Sequence, residues 1–322
     1  MKVYIYALVD VHYYAFYIHG LYKCFGKKNV NFNLDRFPDF GIKSCALIFQ
    51  NKHESKKIVI DAYDSSDLRS HWMIWCDIYA KVNLANNKNY PKKVLNIGPS
   101  FGIQIWNYPQ TIYYALSNYA LGKYNISNKR EFFASYWRQL KRERYKHYNV
   151  RNSENTNYIY FISSIWKKEH RTNEARYQFI GACRKLEQIN FEGGFAERSD
   201  NDNLGFQEFL APRISLLEYL NRIKKSLLVF NTPAVQDCHG WKLAEFLALG
   251  KAIISTEGFN KLPGENEDII HYIQHFDELP VAIQQIQKNI NYRKTLEINS
   301  RNYWDNYLSP TKVINILKNH LF

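Results

Sequence analysis

Apolar and polar positions fall along this chain in short blocks that read alternately as strands and helices. Val3 to Val9 is an apolar run of strand length, and Tyr13 to Phe25 follows with helical spacing and is stopped by Gly26. Cys45 to Gln50, Lys57 to Asp61, Ile78 to Leu84 and Val94 to Ile97 read as further strands. From Asn128 to Tyr148 the spacing is helical. Phe132, Phe133, Tyr136, Trp137 and Leu140 make one stripe there, with Arg138, Lys141, Arg142, Arg144 and Lys146 away from it. The polar stretch NVRNSENTN comes next and places a domain boundary near Asn152. Tyr158 to Ile162 then begins a second series of strands. Phe191 to Phe195 carries a strand end at Gly193-Gly194, and Ile214 to Lys225 is a helix. Leu227 to Phe230 is a buried-type strand, and Gly240 opens a helix with Leu243, Phe246, Leu247 and Leu249 on one face. Gly250 closes that helix, Ala252 to Ile254 is the next strand, and Val281 to Phe322 reads as helices broken at Ser309-Pro310. This alternation predicts an α/β fold with parallel sheets.

Composition sharpens that picture. A chain of 322 residues with 46% hydrophobic content is long enough for two domains, each with its own core. Aromatic content of 16% fits carbohydrate stacking or an interface, and equally the Tyr, Asn, Lys and Ile enrichment of AT-rich coding. Five scattered cysteines form neither a disulfide framework nor a C-x-x-C metal site, so a reducing cytoplasm is expected. The apolar N-terminus is interrupted by Asp10, His12 and His19 and lacks a small-residue cleavage site, so it reads as strand and helix rather than a leader. A soluble protein, or one associated with a membrane from one side, is expected. There is no G-x-G-x-x-G and no Walker loop, which argues against a dinucleotide-dependent dehydrogenase and against nucleotide hydrolysis. The net charge of +13 would suit nucleic acid, yet no helix-turn-helix, RNP or zinc pattern accompanies it, and no nucleic-acid partner is expected.

The chemistry concentrates between Phe230 and Ser255. Here a strand, a polar loop with Asp237, Cys238 and His239, the helix from Gly240 and another strand succeed one another. A loop feeding a glycine at a helix start presents unpaired N–H groups and the positive dipole end to a phosphate. Asp237 and Glu245 stand eight residues apart, in the loop and more than a turn along the helix. Each carboxylate suits vicinal sugar or ribose hydroxyls. This segment resembles the donor site of GT-B-fold nucleotide-sugar glycosyltransferases, whose E-x7-E signature runs loop, glycine, helix, glycine, strand, with Asp237 in place of the first Glu. The resemblance implies two Rossmann-like domains facing across a cleft, with a last helix crossing back. The corresponding spans are 1–152 for the acceptor side, 153–302 for the donor side and 303–322 for the returning helix. It also implies that Asp237 contacts the donor sugar, Gly240 with His239, Trp241 and Lys242 faces the diphosphate, and Glu245 holds the ribose. Ser163 and a basic residue of KKEHRTNEAR, Arg171, Arg176 or Lys168, would complete the donor site. IYAKVNL and IGPSFGI resemble segments of bacterial glycosyltransferases of this kind, which build capsule, lipopolysaccharide or exopolysaccharide.

The implied partners are a nucleotide sugar and a saccharide or lipid-linked acceptor, with no cofactor and no metal. Asp200-Asn201-Asp202 lies in the polar run ERSDNDN rather than after an apolar strand, so it reads as a turn, not as a metal-binding D-x-D. In DAYDSSD, Asp61, Asp64 and Asp67 likewise read first as cap and turn residues. Asp10 and His12 fall in the first strand-to-helix loop, at the end of the sheet where ligands bind, as candidate acceptor-side base or orienting group. Basic and aromatic residues interleaved between Lys129 and Lys146 fit an anionic membrane surface or, alternatively, a helix with a packed face and a solvated one. A nucleotide-sugar 2-epimerase shares the implied architecture and stands beside the transferase reading. A non-catalytic carbohydrate-binding module would leave the acids around the Gly240 helix unexplained.

Overall fold

The computed structural model describes residues 1–149, 157–258, 260–264 and 268–321. The boundary expected near Asn152 lies outside the described residues. Two compact units form: Met1–Lys146 with Asn260–Gly264 and Asn306–Phe322, and His147–Phe259 with Glu265–Asp305. In chain order the first holds β1 (Lys2–Tyr6), α1 (Val11–Phe25), β2 (Val30–Asn33), β3 (Cys45–Gln50), β4 (Ser55–Asp61), α2 (Ser70–Trp75), β5 (Ile78–Lys81), β6 (Val94–Asn96), α3 (Tyr108–Gly122) and α4 (Lys129–Leu140). The second holds β7 (Tyr158–Ser164), α5 (His170–Lys185), β8 (Asn190–Ala196), β9 (Leu210–Ala211), α6 (Leu216–Lys225), β10 (Val229–Asn231), α7 (Trp241–Ala248), β11 (Ile253–Thr256), β12 (His271–Ile273), α8 (Leu279–Lys288) and α9 (Ile290–Tyr303). Helix α10 (Pro310–Asn319) returns to the first unit. The fold is α/β in both.

In the first unit the strands lie in the order β2-β1-β3-β4-β5-β6. Only β3 runs against its neighbours β1 and β4; the remaining pairs are parallel. Its run CALIF is wholly buried, as an inner strand requires. α10 packs on α1 at Gly20, where an added Cβ would meet the Pro310 carbonyl oxygen at 2.3 Å. That close approach admits glycine alone.

The second unit contains two parallel triplets, β9-β8-β7 and β10-β11-β12. Leu227 N–H donates to the Tyr158 carbonyl (2.7 Å) and Tyr160 N–H to Ser226 Oγ (3.0 Å), which sets β10 beside β7. The spatial order is therefore β9-β8-β7-β10-β11-β12, with the direction of winding reversing between β7 and β10. Phe161, Phe179 and Phe230 fill the core across that junction, the last two stacked at 4.4 Å. Gly193, at φ 118°, lets β8 close on β7, because a side chain there would strike the Phe161 carbonyl.

One predicted element is shorter than its pattern. The helix expected over 128–148 ends at Leu140, and residues 145–148 form a separate 3-10 turn. Tertiary bonds pull the chain out of the helix: Gln104 N–H donates to the Glu143 carbonyl, Arg142 Nε to the Gly102 carbonyl, and Gln139 Oε1 accepts from Ile105 N–H. The apolar stripe also divides, since Phe132 and Tyr136 are buried whereas Phe133 and Trp137 are exposed.

Candidate functional site

In a parallel sheet wound in two directions, ligands sit beyond the carboxyl ends of the strands at the reversal. The second unit has a cavity of about 490 Å³ at that place. Glu169, Arg171 and Thr172 line it from the segment after β7, Pro233 and Asp237 from the loop after β10. Thr256 and Glu257 come from the end of β11, and Ile273, Gln274 and Phe276 from the end of β12. The volume falls in the range of about 300–1,000 Å³ typical of small-molecule sites. Arg171 supplies the positive charge of the lining; Glu169, Asp237 and Glu257 supply carboxylates, and Thr172, Thr256 and Gln274 neutral polar groups. Such a lining offers one cationic contact for a phosphate and several acceptors for hydroxyls.

Asp237 reaches this cavity through an unusual turn. Gln236 and Asp237 both have φ 56°, the left-handed region, although neither is glycine. The turn is closed by Ala234 N–H to the Cys238 carbonyl (2.9 Å) and Cys238 N–H to the Val235 carbonyl (3.2 Å). Each left-handed residue costs about 1–2 kcal/mol, and such strain clusters at functional sites. Gly240 then caps α7 with no side-chain hydrogen bond.

Buried polar side chains hold the lining loops. Asn173 clasps Trp166 through both its N–H (3.0 Å) and its carbonyl (2.7 Å), and Thr172 Oγ1 donates to the Pro233 carbonyl (3.2 Å). Arg176 donates from Nε to Thr232 Oγ1 (3.1 Å) and from Nη1 to the Ser164 carbonyl (2.7 Å), tying the end of β7 to that of β10. Burial lowers its pKa to about 10.

Of the predicted donor residues, Asp237 and Arg171 meet in this cavity; His239, Gly240, Trp241 and Ser163 are not among its lining residues. Ser163 is a buried residue of β7. Lys242 points elsewhere: its ammonium donates to the Ile162 carbonyl and lies over the Phe161 and Tyr219 rings. Burial, then the neighbouring Arg176 charge, lowers its pKa to about 7. Glu245 is buried too, and its carboxylate beside Tyr219 helps hold that phenol well above its ordinary pKa, after the larger effect of burial. The period of α7 explains both. Lys242 and Glu245 are three apart on a helix whose inward face carries Leu243, Phe246 and Leu247. Gln274 and Phe276 had no sequence signal, because β12 is three residues long and shows no pattern, and Glu169 and Thr172 lie in KKEHRTNEAR, where only the basic residues stood out.

In the first unit, His12 lies within α1 rather than in the loop before it. Asp10 is the N-cap, and its Oδ1 accepts from His12 N–H (3.1 Å) and Tyr13 N–H (3.4 Å), which starts the helix at Val11. Burial raises the Asp10 pKa to about 6, against the lowering effect of those two N–H groups. Burial and then the Arg142 and Arg138 charges lower that of His12 to about 4, so the imidazole is neutral near pH 7. Asp61 is a buried partner of Lys81 (3.0 Å) and Tyr79 (2.5 Å), and Asp67 pairs with Lys88 (2.9 Å) in an exposed turn. Asp200 and Asp202 also lie in a turn, where Lys167 bridges both and Arg198 holds Asp200. No described helix is long and apolar enough to cross a membrane.

No family model matches the sequence, and no curated protein matches it. Solved structures that resemble it include the crystal structure of TarM, at 12% identity and TM-score 0.39, over 53% of this chain and 36% of that one. A glycosyltransferase from Rickettsia africae ESF-5 is similar at 12% identity and TM-score 0.46, over 81% of this chain and 69% of that one. A UDP-N-acetylglucosamine 2-epimerase from Listeria monocytogenes is similar at 11% identity and TM-score 0.39, over 82% and 74%. This chain thus spans little more than a third of the length of TarM.

Proposed function

We propose that this protein transfers a glycosyl group from a nucleotide-diphosphate sugar to a saccharide or lipid-linked saccharide, as a metal-independent GT-B-type enzyme of bacterial surface polysaccharide synthesis. The observation that carries the reading is the cavity at the carboxyl ends of β7, β10, β11 and β12, with Arg171 and Asp237 on its wall. Arg171 pairs with the diphosphate. Asp237 and Glu257 accept hydrogen bonds from sugar and ribose hydroxyls. Glu245, Lys242 and Arg176 serve as positioning residues, since each is engaged with protein groups beneath the loops. The reaction forms a bond from the acceptor oxygen to the anomeric carbon and breaks the bond from that carbon to the diphosphate. The bonding pair leaves with the diphosphate, and the acceptor proton passes to a base. For that base we propose Asp10, with neutral His12 orienting the hydroxyl, from their place at the carboxyl end of β1 in the first unit. Asp200 and Asp202 pair with Lys167 and Arg198 in a turn outside the cavity lining, so the proposal assigns them no part in the reaction.

The test is product analysis across UDP-, GDP-, CMP- and dTDP-sugars, with and without saccharide and lipid-linked acceptors. Glycosylated acceptor, formed only when acceptor is present, is expected. Conversion of a donor to its 2-epimer without acceptor would replace the proposal with the epimerase reading.

A further inference from the structure

The outer surface of α3 and α4 is apolar where a solvated helix pair would be polar. Tyr108, Ile112, Tyr113, Leu116, Phe133 and Trp137 are all exposed, Tyr113 by 64% and Leu116 by 56%. On α3, Tyr108, Ile112 and Leu116 follow one another at four-residue spacing, with Tyr113 beside them. On α4, Phe133 and Trp137 are likewise four apart. Tyr119 joins the two helices, its ring 5.3 Å from that of Phe133. The helices thus present one continuous patch.

Its charges have one sign. Between Tyr108 and Arg142 the chain carries Lys123, Lys129, Arg130, Arg138, Lys141 and Arg142 against a single acid, Glu131, which is paired to Arg138. Lys129 lies over the Tyr119 ring (5.9 Å), Lys141 over Trp137 (5.3 Å) and Lys123 over Tyr124 (4.9 Å). Arg142 is spent inward on the Gly102 carbonyl. Rings and aliphatic side chains ringed by lysines match the boundary between anionic headgroups and acyl chains. A protein partner's core would require charge depletion.

We infer that the α3–α4 face docks the protein on an anionic lipid bilayer, the rings entering the interface and the lysines contacting headgroups. The inference serves the lipid-linked acceptor proposed above, but the docking is measured without any reaction. The experiment is co-sedimentation of the protein with vesicles of phosphatidylcholine alone or mixed with phosphatidylglycerol. Binding to the anionic vesicles, weakened by salt, is expected. Lys129→Gln and Lys141→Gln should each lower partitioning roughly fivefold, and Leu116→Ser with Trp137→Ser about tenfold. All four residues are exposed on the first unit, so circular dichroism and the thermal unfolding midpoint should stay at parental values and certify folding. Equal binding to both vesicle types, binding to neither, or self-association that Leu116→Ser abolishes would each overturn the inference. None of these results bears on whether glycosyl transfer occurs.

Discussion

At Asp10 one carboxylate caps a helix and carries the proposed catalytic proton, and the two roles pull its pKa in opposite directions. The N–H groups of His12 and Tyr13 favour the anion, burial favours the neutral acid, and burial prevails. A folded pKa of about 6 against an ordinary 3.8 makes the neutral acid the form the fold prefers. Its stabilising contribution is full below about pH 4, is lost as pH rises to about 6, and is constant above that. The difference between the plateaus is about 3 kcal/mol. His12 has the opposite sense: its contribution is lost as pH falls from about 6.5 through 4. Asp10→Asn keeps an oxygen for the cap and removes one titration. Denaturant unfolding from pH 4 to 7 should therefore show the variant gaining on the parent as pH rises. The same variant should lower turnover about 10²–10⁴-fold with donor affinity unchanged. Parental turnover would remove Asp10 from the mechanism.

Among the elements, the β7–α5 and β10–α7 loops form one side of the candidate site, and their rigidity comes from Arg176, Asn173 and Thr172 rather than from the loops' own sequences. Arg176→Leu removes two hydrogen bonds from a buried cation and should cost about 2–4 kcal/mol in unfolding free energy, with donor affinity falling as the loops loosen. Arg171→Ala, at an exposed position, should cost under about 0.5 kcal/mol. Chemical denaturation of the two variants side by side checks this contrast. The strand and helix order was legible because β3 and β7 are short apolar runs of buried strands, while α1 and α7 carry apolar residues at helical spacing. The loop acid Asp237 was legible as well, from its place before Gly240. Which way Glu245, Lys242 and Arg176 point was not. Their environment is set by Tyr219, Ile162 and Thr232, which come from other elements. The end of α4 was hidden for a similar reason: Gly102 and Gln104 withdraw the chain from a helix that its own spacing would continue.

For the molecule as a whole, two α/β units divide the proposed work. The first offers Asp10 and His12 at the end of β1 and the apolar α3–α4 face; the second holds the cavity. That α10 belongs to the first unit follows from Gly20 and Pro310, whereas the return of Asn260–Gly264 to it had no sequence signal. The central claim is that the second unit's cavity binds a nucleotide-diphosphate sugar. Isothermal titration of parent, Arg171→Ala and Asp237→Ala with the sugar nucleotide and with its free nucleoside diphosphate tests it most directly. Arg171→Ala should weaken both ligands by roughly 1.5–3 kcal/mol, because the diphosphate is common to them. Asp237→Ala should weaken the sugar nucleotide by a similar amount and the free diphosphate little. Parental affinities in both variants, or no binding of any sugar nucleotide to the parent, would contradict the account.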